Sequence, residues 1–463
     1  MENACKPHVL AVPFPGQGHI NPMLQFSKLL VSKGIKVTFA ITLFTAKSMQ
    51  TETGLVNIEL FSDGCDEGGI LEAGSLDAYF ERFKTIGSEN LAKVIERQES
   101  SDFPFKCLMY DSCMPWCLDI AKELGLVGVS FYTQSCSVNV IYYHVYHGLL
   151  STPVQGVSAV SMPGMPLLEI SDLPTFLLNS ESNISYLKFV ADQFSNIDQA
   201  DWLVFNTFHK LENEVVNWML NELPTRTITV GPTLPSKYLD KRGEGDDNYG
   251  INLIKPDRRT CINWLDTKKT GSVVYVSFGS FLSLQEQQME EIAWGLEKSG
   301  KYFLWVVRAE EEQKLPSKFR EEYMSTSVSL PDKGLIVKWS LQLQVLAHPS
   351  VGCFITHAGW NSTLEGLSLG VPMVGIPIGS DQTTNIKFVE DVWRVGVRGK
   401  VDEKGIIRRE EIERCIREIT EGEHGEDMRR NVEKWKELAK EAVDEGGSSS
   451  KNIQHFVDSL LCS

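Results

Sequence analysis

Three basic residues in a row occur nowhere in the 463-residue chain; arginines and lysines pair at most, as at Arg258-Arg259, Arg408-Arg409 and Arg429-Arg430. With a formal net charge of −16, that excludes nucleic acid and anionic membranes as partners, since both need a positive surface. No apolar stretch approaches the roughly 20 residues that cross a bilayer. The apolar run in the opening MENACKPHVLAVPFPG is short and broken by prolines, too short for the core of a secretory leader. A cytoplasmic protein is expected. The ten cysteines form no CxxC pair, so they are expected to be buried free thiols. Cys113 and Cys117, a helical turn apart, fit a core better than a metal site, and HVYH at 144 sets a His pair in an aromatic run that fits packing. Internal repeats are absent, and GGSSS at 446–450 is the only low-complexity tract.

What is present is a globular composition, 42% hydrophobic and 23% charged, on a chain too long for one ordinary core. Strand-like runs alternate with helical ones, which implies parallel sheets with crossover helices. In the first half the strands are HVLAVPF, KVTFAIT, KCLMYD, VGVSFYT and DWLVFNT; in the second, GSVVYVSFGS, YFLWVVR, LIVKWS, VGCFITH and PMVGIP. Several are apolar at nearly every residue, as strands buried on both faces should be. The expected architecture is α/β: two doubly wound, Rossmann-like domains with a ligand cleft between their strand ends. We assign 1–240 to the first domain, 241–252 to a charged, glycine-rich linker, 253–445 to the second domain and 446–463 to a C-terminal helix that could pack back on the first.

Two stretches carry chemistry. The first is VPFPGQGHINPML, residues 12–24. Gly16 and Gly18 begin a dinucleotide fingerprint, but position 21 is Asn where the third glycine belongs, so a dinucleotide is not expected. The helix should start near Asn21, with Pro22 in its first turn, and stop at Gly34. His19 at its rim is either a satisfied first-turn residue or a reactive one. Asp111, closing CLMYD, is either the N-cap of the helix in MPWCLDIAKELG or a functional group at a strand end.

The second is VGCFITHAGWNSTLEGLSLGVPMVGIP, residues 351–377. A buried strand ends at Thr356 and a helix is expected near Ser362, with Asn361 and Ser362 as capping oxygens and Gly359 allowing close approach. Such a helix N-terminus suits a phosphate, to which His357 could add a hydrogen bond or a charge. A capped helix in an α/β core, with no ligand, fits the same residues.

Taken whole, the 44 residues from Trp339 to Gln382 closely resemble the signature box of plant family-1 UDP-glycosyltransferases, which opens with Trp, carries H-x-G-W-N-S and closes with (Asp/Glu)-Gln. PFPGQGHINPML, YDSCMPW at 110, ADWLVFNTFHKLE at 200 and VVYVSFGS at 274 extend the resemblance along the chain. It implies the GT-B fold, an acceptor-binding first domain and a UDP-sugar-binding second one. By the same resemblance Trp339 stacks on uracil, the Ser340 backbone reads the base edge, and Gln342 and Glu365 take the ribose. Ser280, His357, Asn361 and Ser362 hold the diphosphate. Asp381 and Gln382 bind the hexose, and Trp360 packs beside it; Glu365 could instead be a solvated helix carboxylate and Trp360 a core indole. Three positions depart from the usual pattern: the box opens WSLQ, Ala358 stands where cysteine is common, and Gly379 stands where an aromatic is common, which bears on acceptor shape.

The resemblance also implies that His19 is the general base and Asp111 its orienting partner, so that an acceptor hydroxyl displaces UDP in one inverting step. No metal or cofactor is implied: the D-x-D element of the other glycosyltransferase fold is absent, and UDP-glucose is a co-substrate. The expected product is a β-glucoside of a small hydrophobic plant metabolite: a phenolic carboxylate, a thiohydroximate, or a steroid or triterpenoid alcohol. Gln382 favours glucose, and a monomer is the family's usual state. The rival readings are a nucleotide-sugar epimerase, a non-catalytic UDP-sugar sensor and a scaffold. DAYFERFKTIG and YDSCMPW are candidates for the acceptor lining.

Overall fold

A computed structural model describes residues 6–49, 56–178, 184–223, 225–239, 250, 254–324 and 331–462. The linker assigned to 241–252 lies outside these residues apart from Gly250. The chain divides into two compact units, Met1–Leu253 with Lys440–Ser463, and Ile254–Ala439.

In the first unit β1 (His8–Val12), β2 (Lys36–Thr42), β3 (Asn57–Phe61), β4 (Cys107–Asp111) and β5 (Val127–Tyr132) are followed by a short antiparallel pair, β6 (Ala159–Val160) with β7 (Leu168–Glu169), then β8 (Trp202–Phe205) and β9 (Arg226–Thr229). The main sheet is parallel, in the order β3-β2-β1-β4-β5-β8-β9. Its central strands β1 and β4 are buried at all five residues, because crossover helices cover both faces. The chain steps from β1 outward to β2 and β3, then returns to lay β4 on the other side of β1. That reversal is where open α/β sheets expose functional groups. Val12 pairs with Tyr110, so β1 and β4 finish at the same height, with Asp111 at the rim.

The second unit repeats the plan with β10 (Val273–Ser277), β11 (Tyr302–Val306), β12 (Gly334–Val337), β13 (Val351–Thr356), β14 (Met373–Gly375) and β15 (Gly396–Arg398), all parallel, in the order β12-β11-β10-β13-β14-β15. Its reversal falls between β10 and β13, where Ser277 pairs with Thr356.

Two helix starts differ from expectation. The helix after β1 runs Gln17–Ser32 from an extended Gly16 with no side-chain cap, so His19 lies in its first turn and Pro22 in its second. The amides of His19 and Ile20 both donate to the Gly16 carbonyl at 2.9 Å, which closes the turn ahead of Asn21. The helix after β13 runs Trp360–Leu369 from Gly359, again without a side-chain cap. Asn361 and Ser362 are therefore inside the first turn and do not cap it.

The helix Ser448–Cys462 belongs to the first unit. Its Ile453, Phe456, Val457 and Leu460 are buried in one cluster with Val9, Phe26, Phe131 and Trp202. Ser449 Oγ donates to the Gly231 carbonyl at 2.6 Å and Asn452 Nδ2 to the Thr229 carbonyl at 2.9 Å, at the end of the edge strand β9. Cys113 and Cys117 are buried free thiols, whereas Cys462 is exposed. Among the described residues, no helix is long and apolar enough to cross a membrane.

Candidate active site

The turn from β1 into its helix and the end of β4 bring His19 and Asp111 together from 92 residues apart: Nδ1 of the imidazole lies 2.7 Å from Asp111 Oδ2. The carboxylate is fully buried and the imidazole 27% exposed. Asp111 Oδ1 accepts the Cys113 amide at 3.1 Å, which fixes the carboxylate's rotation, so Asp111 caps no helix; the next one starts at Trp116. An ionised carboxylate only accepts, so Nδ1 carries the proton and the Nε2 lone pair points away from Asp111. Thr133 Oγ1 stands 3.1 Å from the same Nδ1. Phe14 sets its ring edge against the imidazole, 5.2 Å between centroids. The arrangement is a part-exposed imidazole held by a buried carboxylate, a geometry that can take a proton from a hydroxyl.

The segments containing DAYFERFKTIG and YDSCMPW meet around one cavity of about 330 Å³, lined in part by Phe80, Phe83, Met114, Trp116 and Phe189. Phe80 and Phe189 stack face to face at 4.1 Å, and Phe14 touches Phe189 at 5.1 Å.

In the second unit, residues from three segments form one buried network. Tyr275 in β10 shares a 2.9 Å hydrogen bond with Ser340 Oγ and donates to Gln342 Oε1 at 3.1 Å. Gln342 Nε2 donates in turn to Ser362 Oγ at 3.0 Å and Glu365 Oε2 at 2.7 Å. Glu365 is therefore a buried, held carboxylate and not a solvated one. Trp339 beside this network is partly exposed.

Ser280 and His357 leave the paired ends of β10 and β13. A Cβ on Gly279 would come 2.9 Å from His357 Cε1, and one on Gly359 2.5 Å from Nε2, so only glycines on either side admit the imidazole. Burial, reinforced by the Arg308 charge, pushes the His357 pKa down to about 4. In this setting the ring is neutral and can serve as a hydrogen-bonding group. Arg308 also orders the loop after Ser280, donating to the Leu282 carbonyl at 2.9 Å and to Glu311 Oε2 at 3.1 Å.

Gln382 Oε1 accepts the amides of Ile378 at 2.7 Å and Gly379 at 3.1 Å. Two donors on one atom fix the amide's orientation and turn its NH₂ end outward from that loop. Asp381 is held by Asn385 at 2.8 Å. Trp360 is set apart: it is 3% exposed and lies against Trp393, 6.2 Å between rings. Sequence reasoning missed Thr133, Tyr275, Arg308 and Asn385. A phenol among the valines of VVYVS was a usable signal for Tyr275.

Residues 249–432 match the family described as UDP-glucoronosyl and UDP-glucosyl transferase, and residues 7–55 the glycosyltransferase N-terminal domain. The chain is 48% identical over 456 residues to mogroside I-E synthase of Siraitia grosvenorii, with 98% of each covered. It is 46% identical over 458 residues to the flavonol 7-O-beta-glucosyltransferase UGT74F1 of Arabidopsis thaliana, again with 98% of each covered. Among solved structures, Os79 from O. sativa in complex with UDP is similar at a TM-score of 0.90 and 36% identity, over 98% of this chain and 100% of that one.

Proposed function

The chain belongs to the UDP-glycosyltransferase family, enzymes of GT-B fold that transfer a glycosyl group from a UDP-sugar, and from that membership we propose that it glucosylates a small hydrophobic plant metabolite, using UDP-glucose. His19 takes the proton of the acceptor hydroxyl on Nε2. The oxygen attacks the anomeric carbon opposite UDP, the bond to the diphosphate breaks, and a β-glucoside forms. Asp111 keeps the proton on Nδ1 and stabilises the imidazolium. Charge developing on the leaving diphosphate meets the N-terminus of the helix Trp360–Leu369, with Ser280, neutral His357, Asn361 and Ser362 as donors. Trp339 offers a face to uracil, Ser340 its backbone to the base edge, and Gln342 with Glu365 the ribose contacts. Asp381 and Gln382 receive the hexose.

The observation that carries this reading is the 2.7 Å contact between a half-open imidazole and a sealed carboxylate. For the acceptor, the rings of Phe80, Phe83, Trp116 and Phe189 in a cavity that also carries Asp77, Glu81, Lys84 and Lys188, with the missing bulk at Gly379, favour a large, mainly apolar body with polar groups, such as a steroid, triterpenoid or flavonoid. The named relatives support that class, one being a synthase of mogroside I-E and the other a flavonol 7-O-beta-glucosyltransferase. A cytoplasmic monomer needing no metal or cofactor completes the proposal. The test is a panel of hydrophobic acceptors with UDP-glucose, scored for a mass gain of one hexose. Consumption of UDP-glucose with no acceptor present would favour an epimerase, and binding without product a sensor.

A further inference from the structure

Asp381 and the turn carrying His357 lie in different segments, and one side chain joins them. Asn385, 1% exposed, donates from a single Nδ2 to Asp381 Oδ2 at 2.8 Å and to the Ala358 carbonyl at 3.0 Å. Asp381 and Asn385 are four residues apart at the start of the helix Gln382–Lys387, so they share one face.

Ala358 is the telling partner. It holds φ at +62°, a left-handed conformation that an L-residue with a Cβ keeps only when its surroundings over-determine it. Its N–H donates to Thr356 Oγ1 at 3.2 Å, and its carbonyl is the one Asn385 takes. The residue between His357 and Gly359 is thus pinned at both ends of its backbone.

We propose that Asn385 is a positioning residue for the donor. By clamping Ala358 it aims the His357 turn at the diphosphate, and by the same nitrogen it orients the Asp381 carboxylate toward the hexose. The inference rests on the donor-binding roles given above to His357 and Asp381. An amide is what the position requires. A carboxylate of the same shape would put acceptors against the Ala358 carbonyl and the Asp381 carboxylate, with no proton to share.

The test measures UDP-glucose and UDP affinity by calorimetry, together with thermal midpoints, on the full chain and on Asn385→Asp and Asn385→Ser. Loss of both donors should weaken UDP-glucose binding by about tenfold or more, and UDP binding by less, because UDP lacks the hexose that Asp381 holds. Serine, keeping one donor, should fall between. The acceptor KM should change less than the affinity for UDP-glucose, since the aromatic rings of the acceptor cavity lie in unit 1. Unchanged UDP-glucose affinity in the folded fraction of both variants would overturn the proposal, whatever happens to the melting temperature. A parental chain that binds UDP-glucose yet glucosylates nothing would sink the proposed function while leaving this clamp to be judged on binding alone.

Discussion

His19 and Asp111 meet at 2.7 Å with opposite exposures, the ring 27% open and the carboxylate sealed. A proton can therefore reach the histidine from outside the unit while its partner stays out of water, and the consequences can be tested one residue at a time.

Replacing His19 by alanine removes the proposed base and changes no residue of the second unit. Turnover should fall at least about a hundredfold, the lower end of general-base catalysis, with UDP affinity unchanged. Steady-state rates and UDP titration check both halves. A rate within a few-fold of the parent would refute the assignment.

Asp111→Asn keeps the shape and removes the charge. The amide can turn a donor toward Nδ1 and favour the wrong tautomer. Turnover should drop, but less than with His19→Ala, and acceptor KM should change little. A loss larger than that of His19→Ala would mean Asp111 does more than orient.

Tyr275→Phe deletes the hydroxyl shared by Ser340 and Gln342. One buried hydrogen bond lost on each side should cost about 1 to 2 kcal/mol, read as UDP binding weakened roughly five- to thirtyfold. Isothermal titration with UDP is the measurement; unchanged affinity would show that the network does not shape the nucleotide site.

Gly359→Ala tests the imidazole cage alone. The backbone there has φ −62°, open to any residue, and exchanging a glycine N-cap for alanine costs about 1 kcal/mol. The added Cβ, 2.5 Å from His357 Nε2, should displace the ring and weaken UDP binding about tenfold while the melting temperature holds within a few degrees.

Acid should destabilise the fold through two histidines. His8 donates to the Phe103 carbonyl and bonds Thr38 Oγ1, both at 2.8 Å; burial pushes its pKa to about 4, and that of His357 likewise, from 6.5. Below 6.5 the unfolded chain takes up protons that the folded one refuses, so stability falls as pH drops toward 4, and above 6.5 these groups contribute nothing to its slope. Melting temperatures across pH 4 to 8 should show that slope, and His8→Gln should flatten it.

The sequence displayed the sheet centres well and their margins poorly. Strands such as CLMYD and VVYVS announce themselves because burial on both faces demands unbroken apolar runs. Asn57–Phe61, Arg226–Thr229 and Gly396–Arg398 went unread; all three are edge strands, and Asn57, Leu60 and Arg226 are exposed. Both site helices were expected too late for a shared reason. Their N-caps are Gly16 and Gly359, extended and without a side-chain bond, while the polar residues that resemble caps lie inside the helix. At Gly359 that departure fits the proposed role, since a capped N-terminus would have less to offer an anion. Thr133 stayed hidden because its partner His19 is distant in sequence, and Asn385 because its link to the Ala358 carbonyl spans 27 residues.

The covalent path crosses from one unit to the other at residues 253 and 254 and back at 439 and 440. A protease nick in the segment around 241–252 would therefore leave two fragments still held by the tail helix, whose Phe456 lies 5.4 Å from Trp202. A deletion from Ser448 onward would spare every residue assigned to chemistry and strip a wall from the lobe that holds the base. Inactivity in such a truncated enzyme would report a collapsed scaffold, not a reactive group in the tail.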